Sequence, residues 1–360
     1  MPPPLITLEE HFLSSAAPPS LTALYSEQLK HIPSVHTKLI SLSTTRLTDM
    51  AAGGIALQVV SHVPGLTSPS ACRAANDQLS EAIRSQDHPQ NEENTKENED
   101  GTANTNANGK EKVSTSGNGN RKLAAFAVTP MSDPPSAASE LRRAVTQLGF
   151  VGALVDNTTA SGSFFDSSAY DPFWATAEDL NVPIYLHPTW ASGAQLERYR
   201  GNFSEAAAQS MASSGMGWHS ETGLHVLRLF ASGLFDKRPG LKIIIGHMGE
   251  MIPFMLDRIQ VLSKRWGEYR RDFKTVYREN IWITTSGVWS IDPMRCILAN
   301  TAIDHILYSV DYPFQKNEVG LEWMRELGES GLVNQEQLKA IAYGNAEKLL
   351  GITAPKKGSS

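Results

Sequence analysis

Glu9, His11, His187, His247 and Asp311 stand at the ends of four short apolar runs. Glu9 and His11 close Leu5-Ile6-Thr7-Leu8. His187 follows Val182-Pro183-Ile184-Tyr185-Leu186, His247 follows Leu241-Lys242-Ile243-Ile244-Ile245-Gly246, and Asp311 ends Ile306-Leu307-Tyr308-Ser309-Val310. Imidazoles and carboxylates are the donors a divalent cation takes when it polarises an oxygen or acidifies a bound group. A single histidine at a strand end is usually a hydrogen-bonded structural residue. Several such donors at strand ends are harder to explain by packing, because buried charges need partners.

Within the first run, strand alternation puts Glu9 and His11 on one face, toward a common mouth, and Glu10 on the other. His247 lies in Gly246-His247-Met248-Gly249-Glu250, where the glycines allow a sharp turn and close approach. Glu250, three residues on, can accept a hydrogen bond from one imidazole nitrogen and fix the tautomer. Its alternative role is to meet the dipole of a following helix. Arg258, eleven residues past His247, is a candidate carboxylate clamp, and Trp190 a candidate apolar wall of the pocket. His219 and His225 rank lower, since a spacing of six does not put two ligands on one helical face. There is no phosphate loop, dinucleotide glycine pattern or Gly-x-Ser-x-Gly elbow.

Runs of four to six aliphatic residues read as strands buried on both faces. Eight are expected, at 5–9, 55–60, 122–129, 152–156, 183–187, 241–246, 280–285 and 305–310. Helical patterns lie between them, for instance at 136–148, 170–180, 221–234, 253–264 and 293–300, and helices near 320–327 and 335–349 follow the last strand. This rhythm predicts a (β/α)8 barrel, in which the C-terminal ends of all strands meet at one rim. One catalytic domain is expected over residues 1–354, with a flexible tail at 355–360.

The 360 residues are 41% apolar and 19% charged, which suits a chain with a substantial core. Net charge is −6, of which residues 86–120 carry −4 (seven acidic, three basic side chains), so no basic stripe is left for nucleic acid or anionic lipid. Segment 86–120, with eight Asn and four Gly and only Ala103, Ala107 and Val113 apolar, is expected to be a disordered insertion, because it cannot bury enough surface to order itself. Two cysteines, no secretory leader and no membrane-length run point to a cytoplasmic protein without a membrane partner.

Leu8-Glu9-Glu10-His11-Phe12, Tyr185-Leu186-His187-Pro188, the stretch from Phe235 to Glu250, Asn280-Ile281-Trp282-Ile283-Thr284-Thr285-Ser286-Gly287 and Ser309-Val310-Asp311-Tyr312-Pro313-Phe314 resemble the amidohydrolase-related decarboxylases. The likeness is to the 2,3-dihydroxybenzoate, γ-resorcylate and salicylate decarboxylases. It spans almost the whole chain apart from 86–120 and the tail, and the Glu-x-His opening favours this branch over the hydrolases. The resemblance implies an amidohydrolase-like TIM barrel holding one divalent metal (zinc, manganese or magnesium) on Glu9, His11, His187 and Asp311. It places His247 and Glu250 beside an aromatic carboxylic acid substrate, gives Asp311 the proton delivered to the ring, and matches Arg258 to the family's arginine. A homodimer or homotetramer is implied as well. The fourth-strand bridge of two-metal hydrolases has no counterpart in Gly152-Ala153-Leu154-Val155-Asp156. The rival readings are a metal-dependent hydrolase of a lactone or amide, and a catalytically silent barrel.

Overall fold

The structure, a computed structural model, describes residues 3–29, 32–86 and 121–355. The expectations for 87–120 and 356–360 lie outside the described residues. Gln86 and Lys122, on either side of 87–120, lie together, with the Lys122 N–H donating to Gln86 Oε1 at 3.2 Å.

Eight parallel strands form the centre: β1 (Leu5–Phe12), β2 (Ile55–His62), β3 (Leu123–Ala125), β4 (Ala153–Asp156), β5 (Ile184–His187), β6 (Ile243–Ile245), β7 (Ile281–Thr284) and β8 (Ile306–Leu307). They pair in chain order as β1-β2-β3 and β4-β5-β6-β7-β8. Single parallel bridges Ala127↔Ala153 and Glu10↔Tyr312 join the two sheets at both seams and close the ring. Side chains from alternate positions fill the lumen, among them Ile6, Leu8, Val59, Phe126, Leu154, Tyr185, Ile244 and Leu307. Leu349, Leu350 and Ile352 continue this cluster. A larger apolar layer packs the helices onto the outer strand faces. Among the described residues, no helix is long and apolar enough to cross a membrane.

β8 is shorter than the expected 305–310, and the reason lies at the β8–β1 seam. Beyond Leu307 the chain leaves the ladder, and side chains replace backbone pairing until the Glu10↔Tyr312 bridge. The Ser309 hydroxyl accepts from the Leu8 and Glu9 N–H groups at 2.9 and 2.7 Å. Glu10 accepts from the Val310 and Tyr312 N–H groups and the Ser309 hydroxyl, each at 3.1 Å. Opposite β2, the register slips by one residue between Thr7 and Glu10. This bulge reverses the side-chain parity. Ile6 and Leu8 face the lumen below it, and Glu9 and His11 face the mouth above it. Simple alternation from Leu8 would have sent Glu10 inward instead.

Candidate active site

The C-terminal rim brings Glu9, His11, His187 and Asp311 together, with one donor atom from each lying within 4.8 Å of the others. His187 Nε2 is 3.1 Å from Glu9 Oε1, and His11 Nε2 is 3.3 Å from Asp311 Oδ1. Neither contact has hydrogen-bond alignment, so Glu9 Oε1 and His11 Nε2 are buried polar atoms without a hydrogen-bond partner among the described residues. Other atoms of the cluster are fixed from behind. The His187 Nδ1–H donates to the Pro188 carbonyl at 2.6 Å, which leaves the Nε2 lone pair facing the centre. Tyr185 donates a short hydrogen bond to Glu9 Oε2, and Tyr185 is tied to Thr284 Oγ1 at 2.9 Å. Gly246 makes room for this carboxylate, since a Cβ there would lie 2.9 Å from Glu9 Oε2.

Two imidazoles and two carboxylates, with largely buried donor atoms converging, fit a divalent cation. Charge supports the fit. Burial alone would raise the Glu9 carboxyl, yet the neighbouring His247 and His187 hold it well below the usual carboxylate range. Burial and the nearby Glu9 charge push Asp311 upward, and burial and His187 push His11 well down. Burial thus favours the neutral form of His11, which is the form whose Nε2 lone pair can bind a cation.

His247 and Glu250 sit on a left-handed turn after β6. His247, Met248, Glu250 and Met251 have φ between 48° and 66°, and Asp311 has φ 74°. Such conformations cost non-glycine residues about 1–3 kcal/mol each and persist where the surroundings impose them. Here they aim His247 Nε2 at Glu9 Oε1, 3.5 Å away, while His247 Nδ1 donates to Glu250 Oε1 at 2.8 Å. The second Glu250 oxygen accepts from His219 Nδ1 at 2.7 Å. Burial lowers the pKa of His247, but the Glu9 and Glu250 charges outweigh it and raise it to about 10.

His219 therefore belongs to the site, contrary to the low rank its spacing gave it. Its partner lies 31 residues away on another element, and no local pattern signals that pairing. His225 stays apart, packed on Phe164 and Phe165. Arg258 needs correction too. It is exposed on the outer side of the helix Ile252–Leu262, whose inner face is taken by Ile252, Leu256 and Ile259, so this chain does not bring it to its own cavity. Glu10 points away from the mouth, on the face opposite Glu9 and His11, but it is fully buried and holds the seam closed.

A cavity of about 220 Å³ opens directly onto His187, His247 and Asp311. Its walls are Tyr25, Trp190, Trp218 and Phe314, none of which except Trp190 stood out in the sequence. Trp190 meets Tyr25 and Trp218 edge-on, with centroids 6.2 and 5.1 Å apart. The space is largely apolar, with His187, His247 and Asp311 at one end. It suits a planar aromatic acid whose carboxylate faces the donor cluster.

The amidohydrolase family profile matches residues 93–352. The chain is similar to the decarboxylase orsB of Emericella nidulans, with 46% identity over 99% of this chain and 100% of that one. It is also similar to a γ-resorcylate decarboxylase of a Polaromonas species, at 32% identity over 96% and 97% of the two chains. A crystal structure of dihydroxybenzoic acid decarboxylase from Polaromonas, with bound manganese and the inhibitor 2-nitroresorcinol, superposes with a TM-score of 0.77 at 29% identity, covering 98% of this chain and 97% of that one.

Proposed function

Because the chain belongs to the amidohydrolase family, among its metal-dependent decarboxylases, we propose that it removes carbon dioxide non-oxidatively from ortho-hydroxybenzoates of the 2,3-dihydroxybenzoate or salicylate type. As a decarboxylase of hydroxybenzoates it is a carboxy-lyase. The observation that carries the reading is the four-donor cluster at the floor of an apolar, aromatic-walled cavity.

Glu9, His11, His187 and Asp311 would hold one divalent cation, with manganese favoured over zinc and magnesium by the related metal-bound structure. Bound there, it supplies a Lewis acid that orients the substrate carboxylate and favours ionisation of the neighbouring phenol. The chain's own groups do the rest. Trp190, Trp218, Tyr25 and Phe314 sandwich the ring and exclude water. His247 donates from Nε2 to a substrate oxygen, with Glu250 fixing its orientation through Nδ1. Asp311 delivers a proton to the ring carbon that bears the carboxylate. A new C–H bond forms there, the bond to the carboxylate carbon breaks, its electron pair restores the aromatic ring, and carbon dioxide leaves. Asp311 is then reprotonated from solvent.

A homo-oligomer is part of this reading. Phe254, 80% exposed, and Val261, 60% exposed, lie on the outer side of the Arg258 helix, where a second copy would cover them. Arg258 could serve a substrate only across such a contact. The test of the chemical assignment is Asp311→Asn, which keeps the size but cannot deliver the proton. It should lose far more in kcat than in substrate affinity, and a near-wild-type kcat would contradict the role.

A further inference from the structure

We propose that Trp190 sets the largest ring substituent the reaction cavity accepts, by closing that cavity off from a groove behind its indole ring. The proposal rests on the decarboxylase reading and goes beyond it. The groove, about 440 Å³, has Leu24, Ala191, Leu196, Ala206 and Ala212 together with Trp190 on its apolar side, and Gln209, Ser210 and Ser213 on its polar side. The two spaces flank the same three chain segments. Leu24 faces the groove and Tyr25 the cavity, Ala191 the groove and Thr189 the cavity, Ser213 the groove and Ser214 the cavity. Trp190 lines both. Its ring is positioned by edge contacts with Tyr25 and Trp218. Shortening this side chain joins the spaces into one channel that starts at the donor cluster and runs along the apolar side of the groove, past Leu24, Leu196 and Ala206. The chemistry that fits such a channel is an unbranched alkyl chain on the hydroxybenzoate ring, each buried methylene strengthening binding about fourfold.

The test uses manganese-loaded protein and titration calorimetry with 2-hydroxybenzoate and its four pentyl derivatives, one for each open ring position. Wild type should bind the parent acid and reject all four pentyl acids. Trp190→Ala should bind at least one pentyl acid about 10-fold or more tighter than wild type, the gain a few buried methylenes give. Adding Ala206→Phe, which refills the groove, should abolish the gain. Trp190→Leu provides the same comparison if Trp190→Ala does not fold. Pentyl acids bound equally by wild type, or rejected by both variants while the parent acid still binds, would overturn the gating role alone. Failure of wild type to bind the parent acid would overturn the decarboxylase reading and this inference with it.

Discussion

Glu250→Gln isolates the claim that one buried carboxylate orients the His247 imidazole. Glu250 is 1% exposed, and its two oxygens accept from His247 at 2.8 Å and His219 at 2.7 Å. Glutamine has the same shape but only one acceptor, so its amide N–H₂ must face one of the two imidazole N–H groups. That imidazole loses its partner and turns or changes tautomer. A hydrogen bond to a charged group contributes about 1.5–3 kcal/mol, and loss of an orienting partner of this kind typically costs about 10–100-fold in activity. In barrier terms this is about 1.4–2.7 kcal/mol. The loss should appear in kcat, with KM little changed, because Glu250 touches His247 and not the substrate. Steady-state decarboxylation rates and a melting curve on the same preparation provide the assay. His219→Phe should cost less than Glu250→Gln, since the His247 contact survives it. Wild-type kcat in a folded Glu250→Gln enzyme would refute the argument.

Two further outcomes concern stability. Glu10→Gln keeps the size of the seam residue but replaces one acceptor oxygen with a donor that faces backbone N–H groups. It should destabilise by about 2–4 kcal/mol, and an unchanged denaturation midpoint would show that the Glu10 hydrogen bonds do not hold the β8–β1 closure. His225 gives the pH dependence. Burial lowers its pKa from the ordinary 6.5 to about 3, so the folded protein keeps it neutral while the unfolded chain protonates it. Its stabilising contribution is complete above pH 6.5 and is lost as pH falls from 6.5 toward 3, reaching about 2 kcal/mol of loss near pH 5. His225→Gln should flatten the stability profile in that window, and parallel wild-type and variant profiles would sink the assignment.

The barrel was legible because its strands are continuous aliphatic runs, and the end of each run marks the rim. Ligand candidates could be picked out for the same reason: Glu9, His11, His187 and Asp311 each stop or immediately follow such a run. What stayed hidden depends on three-dimensional exceptions to periodicity. The bulge at Leu8–Glu9 reverses the parity of the strand and leaves no mark in residue type. Ser309 and Glu10 replace backbone pairing with side-chain hydrogen bonds, so β8 ends earlier than its apolar run. His219 reaches Glu250 from the helix Gly217–Ala231, and Arg258, eleven residues past His247, is carried by its helix to the outer surface.

The most direct measurement is carbon dioxide and phenol release from ortho-hydroxybenzoates by one preparation in three states: metal-replete, chelated, and reloaded with manganese. The account predicts equal amounts of the two products in the first state, none in the second and recovery in the third, with the barrel folded throughout. Full activity after the metal is removed would contradict it. So would a metal-replete enzyme that releases no carbon dioxide from any ortho-hydroxybenzoate while hydrolysing a lactone or amide.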